Sequence, residues 1–220
     1  MKVLLFQLEG LLQSWGECAH WDIRDTGYFP TKSAIVGLIC GCLGWSRDDP
    51  RITALNNQIS LGVRADRTGT IMADFHTVQG KPRLAVSSGG FRGESKSTIV
   101  SRRYYLQDAS FLVGISGDEE VLEMISDALL HPVYTVYLGR KACIPSIPIL
   151  PHIMEFSSIE EAFKHVRISS RIDGTELPAE FDASSGIEGI SGSRNDMINN
   201  FCDRDFRERD VVRKTVHLNV

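Results

Sequence analysis

The sequence predicts an α+β fold, and three observations lead there. Short apolar or alternating runs at residues 3–8, 59–65 and 109–115 read as buried or half-buried strands. Two stretches, 33–44 and 119–130, carry the pattern of helices. Up to residue 138 these runs follow the order strand, helix, strand, strand, helix, strand, with a basic excursion ahead of the third core strand. That β-α-β-β-α-β order is the ferredoxin-like arrangement, which RNA-recognition domains also use.

Taken in order, residues 3–8 form the first strand, and 10–27, with Trp15, Gly16 and Trp21, an ordered loop. Pro30 sets an extended approach to the first helix, and Thr31 or Ser33 can cap it by accepting bonds from its free N–H groups. Along that helix Gly37 and Gly41 stand one turn apart, so one face lacks side chains and can lie close against a neighbouring backbone. Gly44 and Asp48-Asp49-Pro50 end it, and 51–57 reads as a short helix. Residues 59–65 alternate, turn at Arg67-Thr68-Gly69, and continue as an extended run over 71–78. Residues 98–106 return from the excursion as an extended run. There, alternation places Arg103 and Tyr105 on one face, Arg102 and Tyr104 on the other. A strand at 109–115 and a helix at 119–130 with acids in its first turn follow, and 133–138 reads as the closing core strand.

The C-terminal third looks less regular. Prolines 145, 148 and 151 mark a loop, and Ser158 with Glu161 forms a capping box for a short helix to about 165. Residues 166–172 read as a strand, 187–195 as a flexible Gly/Ser stretch, and 210–220 as a terminal strand. The expected organisation is a body over 1–150, a hairpin inserted at about 76–107, and a β-rich extension over 151–220 packed on it.

At 220 residues the chain can bury a substantial core. No apolar run reaches the roughly 18 residues of a membrane span, and residues 1–10 read as a strand rather than a signal peptide, so a cytoplasmic, non-membrane protein is expected. The five cysteines form no C-x-x-C pair and read as reduced thiols. Six scattered histidines give no metal motif, and no metal or cofactor is expected. Net charge is −4, which excludes a binder working through bulk positive charge. Residues 76–105 nevertheless hold six basic residues against one acid, a local +5 on a remainder of −9. A basic limb interleaved with Tyr104 and Tyr105 fits RNA, because rings stack on bases while arginines hold phosphates. A plain solvated loop is the other reading.

Two motifs invite catalytic readings. Residues 27–33, GYFPTKS, resemble a nucleotide-binding loop, but Lys32 comes one position early and the second glycine is missing. What remains is an anion site at the helix N-terminus, built from free N–H groups, the helix dipole and Lys32, unless Lys32 is only a solvated first-turn lysine. His76, Lys81 and Tyr104 could form a metal-independent RNA-cleaving set, a general base with a cation for the phosphorane. A strand histidine and packed tyrosines would give the same residues.

Several blocks together resemble a known family. LEGLLQSWGE at 8–17, TGYFPTKSAIVGLICGCLGWSRDD at 26–49, DFHTVQG at 74–80, YYLQDASFLV at 104–113 and YLGRKAC at 137–143 are similar to the CasD subunits of type I-E CRISPR Cascade complexes, members of the RAMP superfamily. The resemblance implies a ferredoxin-like body with a thumb-like hairpin. It implies a subunit that caps the complex, holds the 5′ handle of CRISPR RNA, and touches the backbone subunit and the large subunit. It also implies no catalysis, although a type I-C relative cuts repeat RNA. Carried over by motif, Arg24, Lys32, Ser33, Arg102, Arg103, Arg140 and Lys141 are RNA-contact candidates. His76, Arg83 and Tyr104 join them from the hairpin.

Overall fold

The structure, a computed structural model, describes residues 1–18, 22–79, 98–183 and 186–219. In chain order the elements are β1 (Lys2–Gln13), β2 (Ile23–Arg24), α1 (Lys32–Cys42), α2 (Arg51–Gln58), β3 (Ser60–Arg67), β4 (Thr70–Gln79), β5 (Thr98–Ser116), α3 (Glu119–Leu130), β6 (His152–Glu155), α4 (Ile159–His165), β7 (Glu176–Asp182), β8 (Ile190–Asn200) and β9 (Asp205–His217). All the strands join one sheet ordered β6-β1-β5-β3-β7-β9-β8, with β2 and β4 both attached to β5. Every pairing is antiparallel except the short β2–β5 pair.

The central strands are buried on both faces because both are covered, one face apolar and the other apolar around α4 but holding the buried polar residues Gln7, Glu9, Arg64 and Asp66 further along. On β1, Leu4, Phe6 and Leu8 join a core with Ile35 and Ile39 of α1 and Leu122 and Ile125 of α3. Val3 and Leu5 point the other way, into a smaller core with Ile159 and Phe163 of α4. Each such buried side chain contributes roughly 1.5–3 kcal/mol. The seat of α4 is shaped by two glycines. Gly62 and Gly114 face each other across β3 and β5, and a Cβ on either would lie 2.7 Å from the Ile159 side chain.

The 19 residues of β5 serve two regions. Residues 106–116 lie in the body between β1 and β3, while 98–107 pair with β4 as a ribbon. The expected runs at 98–106 and 109–115 are thus one strand, continued through Asp108 at φ 56°. Asp108 tolerates that left-handed backbone as few residues do, and Arg67 and Arg171 both pair with its carboxylate.

Three expectations need correction. Residues 133–138 are not a strand, and the outer strand beside β1 is β6. The amides of Val133 and Tyr134 instead donate to the carbonyls of Cys42 and Gly41 in the last turn of α1. Residues 166–172 are irregular, and much of the Gly/Ser stretch at 187–195 belongs to β8. The C-terminal third therefore holds more strand than expected, and β7, β9 and β8 extend the same sheet.

A buried ionic network ties those strands to α1. Lys32, the first residue of α1, is 3% exposed. Its Nζ donates to Asp182 at 2.9 Å and to the Ile59 carbonyl at 2.8 Å. Its backbone N–H donates to Asp196 Oδ2 at 2.7 Å. Arg209 of β9 bridges both acids, with Nε 2.7 Å from Asp196 and a contact from Nη1 to Asp182. Burial alone would lower the Arg209 pKa, but Asp196, Asp182 and Glu180 outweigh it and hold it above the ordinary arginine value. Arg194 joins Glu180 at 2.7 Å and Glu17 at 2.6 Å.

Breaking a buried pair from one side leaves an uncompensated charge. Asp182→Asn is expected to cost about 3–5 kcal/mol in urea unfolding, and a loss under about 1 kcal/mol would show the network to be solvated. Gly114→Ala is expected to cost about 1–3 kcal/mol by pushing against Ile159 and Phe163, read in the same assay.

Candidate nucleic-acid interface

Helix α1 begins where the backbone leaves the extended region. Thr31 is its N-cap, at φ −79° and ψ 153°, and its Oγ1 accepts the Ala34 N–H at 3.2 Å. The helix ends in a Schellman motif. Gly44 sits at φ +73°, its N–H donates to the Gly41 carbonyl at 3.2 Å, and the Trp45 N–H donates to the Cys40 carbonyl at 2.9 Å.

The glycine face of α1 does not lie against another backbone. A Cβ on Gly41 would meet nothing within 4 Å, and one on Gly37 would meet only the Phe201 ring, at 3.3 Å. This face floors a groove of about 850 Å³. Its walls carry Trp45, Arg47, Tyr134, Tyr137, Lys141 and Phe201, and among the described residues no lining residue is acidic. Ser33 and Cys40 line it too. Burial pushes the Cys40 thiol up to about 12, so it is protonated and not a nucleophile near neutral pH.

The wall opposite α1 is held by backbone bonds. Beyond the two amides that cap α1, Leu138 N–H donates to the Cys143 carbonyl at 2.7 Å, and Ser14 N–H to the Leu138 carbonyl at 3.1 Å. Arg140 locks this turn to its surroundings. Its Nη1 donates to the Tyr104 carbonyl at 3.1 Å, its Nη2 to the Arg24 and Asp25 carbonyls at 3.0 and 3.2 Å, and its guanidinium lies 4.6 Å from the Tyr105 ring centroid. Lys141, next in sequence, is exposed at the groove.

The predicted site residues therefore separate. Lys32 and the N-terminus of α1 do not form an anion site, because Asp182 takes the ammonium and Asp196 the backbone N–H. Ser33 is half-buried, its Oγ 3.3 Å from Thr31 Oγ1. Arg140 spends three donors on carbonyls. Arg24 lies on β2, in register with Arg103.

On the β4–β5 ribbon, side chains opposite one another share a face. His76, opposite Ser101, and Asp74, opposite Arg103, form one such set, with His76 Nδ1 3.3 Å from Asp74. Arg103 Nε donates to Ser101 Oγ at 3.3 Å. Tyr104, opposite Ala73, and the exposed Arg102, opposite Phe75, take the other face. His76 and Tyr104 thus point to opposite sides. Lys81 and Arg83 lie outside the described residues. Among the described residues, no group of three or more His, Cys, Asp or Glu could hold a metal ion. No described helix is long and apolar enough to cross a membrane.

Sequence reasoning missed Trp45, Arg47, Tyr134, Tyr137 and Phe201 as groove residues. The signal for the tyrosines was their spacing after Pro132, masked by a run that also fits a buried strand. Phe201 is visible only through the fold, since its partner Gly37 is far away in sequence.

Comparison with known proteins agrees with this architecture. A family model described as CRISPR-associated protein (Cas_Cas5) matches residues 3–212. The CRISPR system Cascade subunit CasD of Escherichia coli (strain K12) is 35% identical over 172 residues, covering 72% of this chain and 74% of the relative. A chain in a solved structure of a CRISPR RNA-guided surveillance complex superposes with a TM-score of 0.78 at 28% identity, over 98% of this chain and 90% of the other. A second solved structure, described as a Cas protein, gives a TM-score of 0.72 at 30% identity, over 98% and 95%. The chain belongs to the Cas5 family of CRISPR-associated proteins.

Proposed function

We propose that this chain is a non-catalytic RNA-binding subunit of a type I-E Cascade complex. It holds the 5′ handle of CRISPR RNA and caps the assembly, in contact with the backbone subunit and the large subunit, in the cytoplasm. The observation that carries this reading is the groove over Gly37 and Gly41, with aromatic and cationic walls and no acid among the described lining residues. Rings that stack on bases beside cations that meet phosphates are the chemistry of single-strand binding. The overall −4 charge then acts on other surfaces, and the groove and ribbon collect the positive charge that RNA needs.

The sheet order supports a ferredoxin-like unit made of β1, α1, β3, β5, α3 and β6, whose strands stand in the order β6-β1-β5-β3. The β4–β5 ribbon is the thumb of this reading, with Arg102 and Arg103, where β2 pairs with it, as its RNA contacts. The strands β7, β8 and β9 are the C-terminal extension that steadies α1 through Asp182 and Asp196. The rival reading is a repeat-RNA endonuclease built on His76, Lys81 and Tyr104. Placing His76 and Tyr104 on opposite ribbon faces counts against a shared active site.

A salt titration of RNA binding tests the reading. With about five phosphates neutralised, log K is expected to fall with log salt at a slope near −3.5, and Lys141→Ala to make the slope shallower by about 0.7. Binding that is flat with salt rejects the proposal. Arg102→Glu with Arg103→Glu is expected to lower the yield of assembled complex while the subunit stays folded by circular dichroism. Cleavage of a labelled repeat RNA in EDTA, lost in His76→Ala, would make the chain an enzyme instead.

A further inference from the structure

Trp45 is held in place more tightly than its loop position suggests. The Schellman motif at the end of α1 fixes its backbone through the bond to the Cys40 carbonyl. Its indole lines the groove and is half-buried. The Arg51 guanidinium lies 4.3 Å from the indole centroid, covering part of the ring. Arg51, whose side chain is 62% exposed, is oriented by Asp49: its Nε and Nη2 donate to the two Asp49 carboxylate oxygens at 2.6–3.1 Å, and its backbone N–H donates to Asp49 Oδ1 at 2.9 Å. These bonds, the side-chain one first, hold the Asp49 carboxyl below its usual range, so the clamp is ionised near neutral pH.

We propose that Trp45 is a stacking platform for one unpaired nucleobase of the bound RNA, with Arg51 and Asp49 as its positioning residues. The inference rests on the RNA reading of the groove and adds a base seat to it. An aromatic ring held rigid on one side offers its remaining surface at little entropic cost. A π-face takes any base, so the seat is tolerant of sequence. Arg47 and Lys141 line the same groove and supply cations for the phosphates flanking a seated base. An acidic or aromatic peptide segment is the poorer occupant, because the aromatic wall and the two cations together match a nucleotide.

The test uses the assembled complex or the full chain, with CRISPR RNA whose repeat-derived 5′ segment carries one abasic nucleotide at each position in turn. Trp45→Leu is expected to weaken binding roughly five- to hundredfold, the range for loss of one stacked base. One abasic position should weaken the wild type by the same factor and cost Trp45→Leu nothing further. Trp45→Phe should keep most of the affinity, which also covers the case in which Trp45→Leu folds poorly. Arg51→Ala should weaken binding less, leave the salt slope unchanged, and add no loss in the Trp45→Leu background.

If Trp45→Leu binds as tightly as wild type while Lys141→Ala weakens binding, the inference fails and the RNA reading stands. A Trp45→Leu loss that persists in full at every abasic position also overturns it. So does an Arg51→Ala loss that remains without Trp45 and makes the salt slope shallower, since Arg51 would then be a phosphate contact. A wild-type protein that binds no RNA overturns both readings.

Discussion

The structure depends on how the start of α1 is neutralised. A helix N-terminus and a lysine together carry more positive charge than a protein interior tolerates alone. Here Asp196 takes the first backbone N–H and Asp182 takes the Lys32 ammonium. Both acids come from strands that the chain reaches only after residue 175. Arg209 then pairs with both acids and Arg194 with Glu180, so the buried cations Lys32, Arg194 and Arg209 face the buried acids Glu180, Asp182 and Asp196. The charges match, and the geometry leaves α1 one orientation. The C-terminal strands are thereby part of what positions the groove, although among the described residues the only lining residue they supply is Phe201, in the β8–β9 turn.

That orientation explains the glycines. With its N-terminus bonded inward and Ile35, Val36 and Ile39 on the core, α1 turns Gly37 and Gly41 toward solvent rather than toward the sheet. Side chains there would fill the groove. The same helix delivers Trp45 through its C-terminal glycine and gives its last carbonyls to Val133 and Tyr134. One short helix thus fixes both groove walls, and Arg140 braces the far wall by tying the 138–143 turn to β2 and β5.

The sequence made the local pattern legible. Alternation over 59–65 located β3, the extended run past the Arg67-Thr68-Gly69 turn located β4, and the apolar spacing with acids in the first turn located α3 at the residues where it lies. The order of elements up to α3 was readable for the same reason. What failed was non-local. Residues 133–138 have strand composition, but carbonyls in the last turn of α1 claim the amides of Val133 and Tyr134, and β6 takes the place beside β1. Lys32 has the sequence surroundings of a phosphate ligand, and only partners about 150 residues away reveal it as a buried ion pair. Arg140 sits in a conspicuous basic pair, yet three backbone carbonyls absorb it. The true groove residues are ordinary tyrosines and a tryptophan, which composition cannot tell from core.

The central claim is that the groove over the α1 glycines is the RNA seat. The most direct measurement is RNA affinity and thermal stability of Gly41→Phe. A Cβ at Gly41 would meet nothing within 4 Å and the position opens onto the groove, so the fold has room for a side chain there, and replacing a helical glycine by Phe recovers roughly half a kcal/mol of helix propensity. The account predicts an unchanged or higher melting temperature with affinity for the CRISPR RNA 5′ segment at least tenfold weaker. A folded Gly41→Phe protein that binds this RNA as tightly as wild type would contradict it.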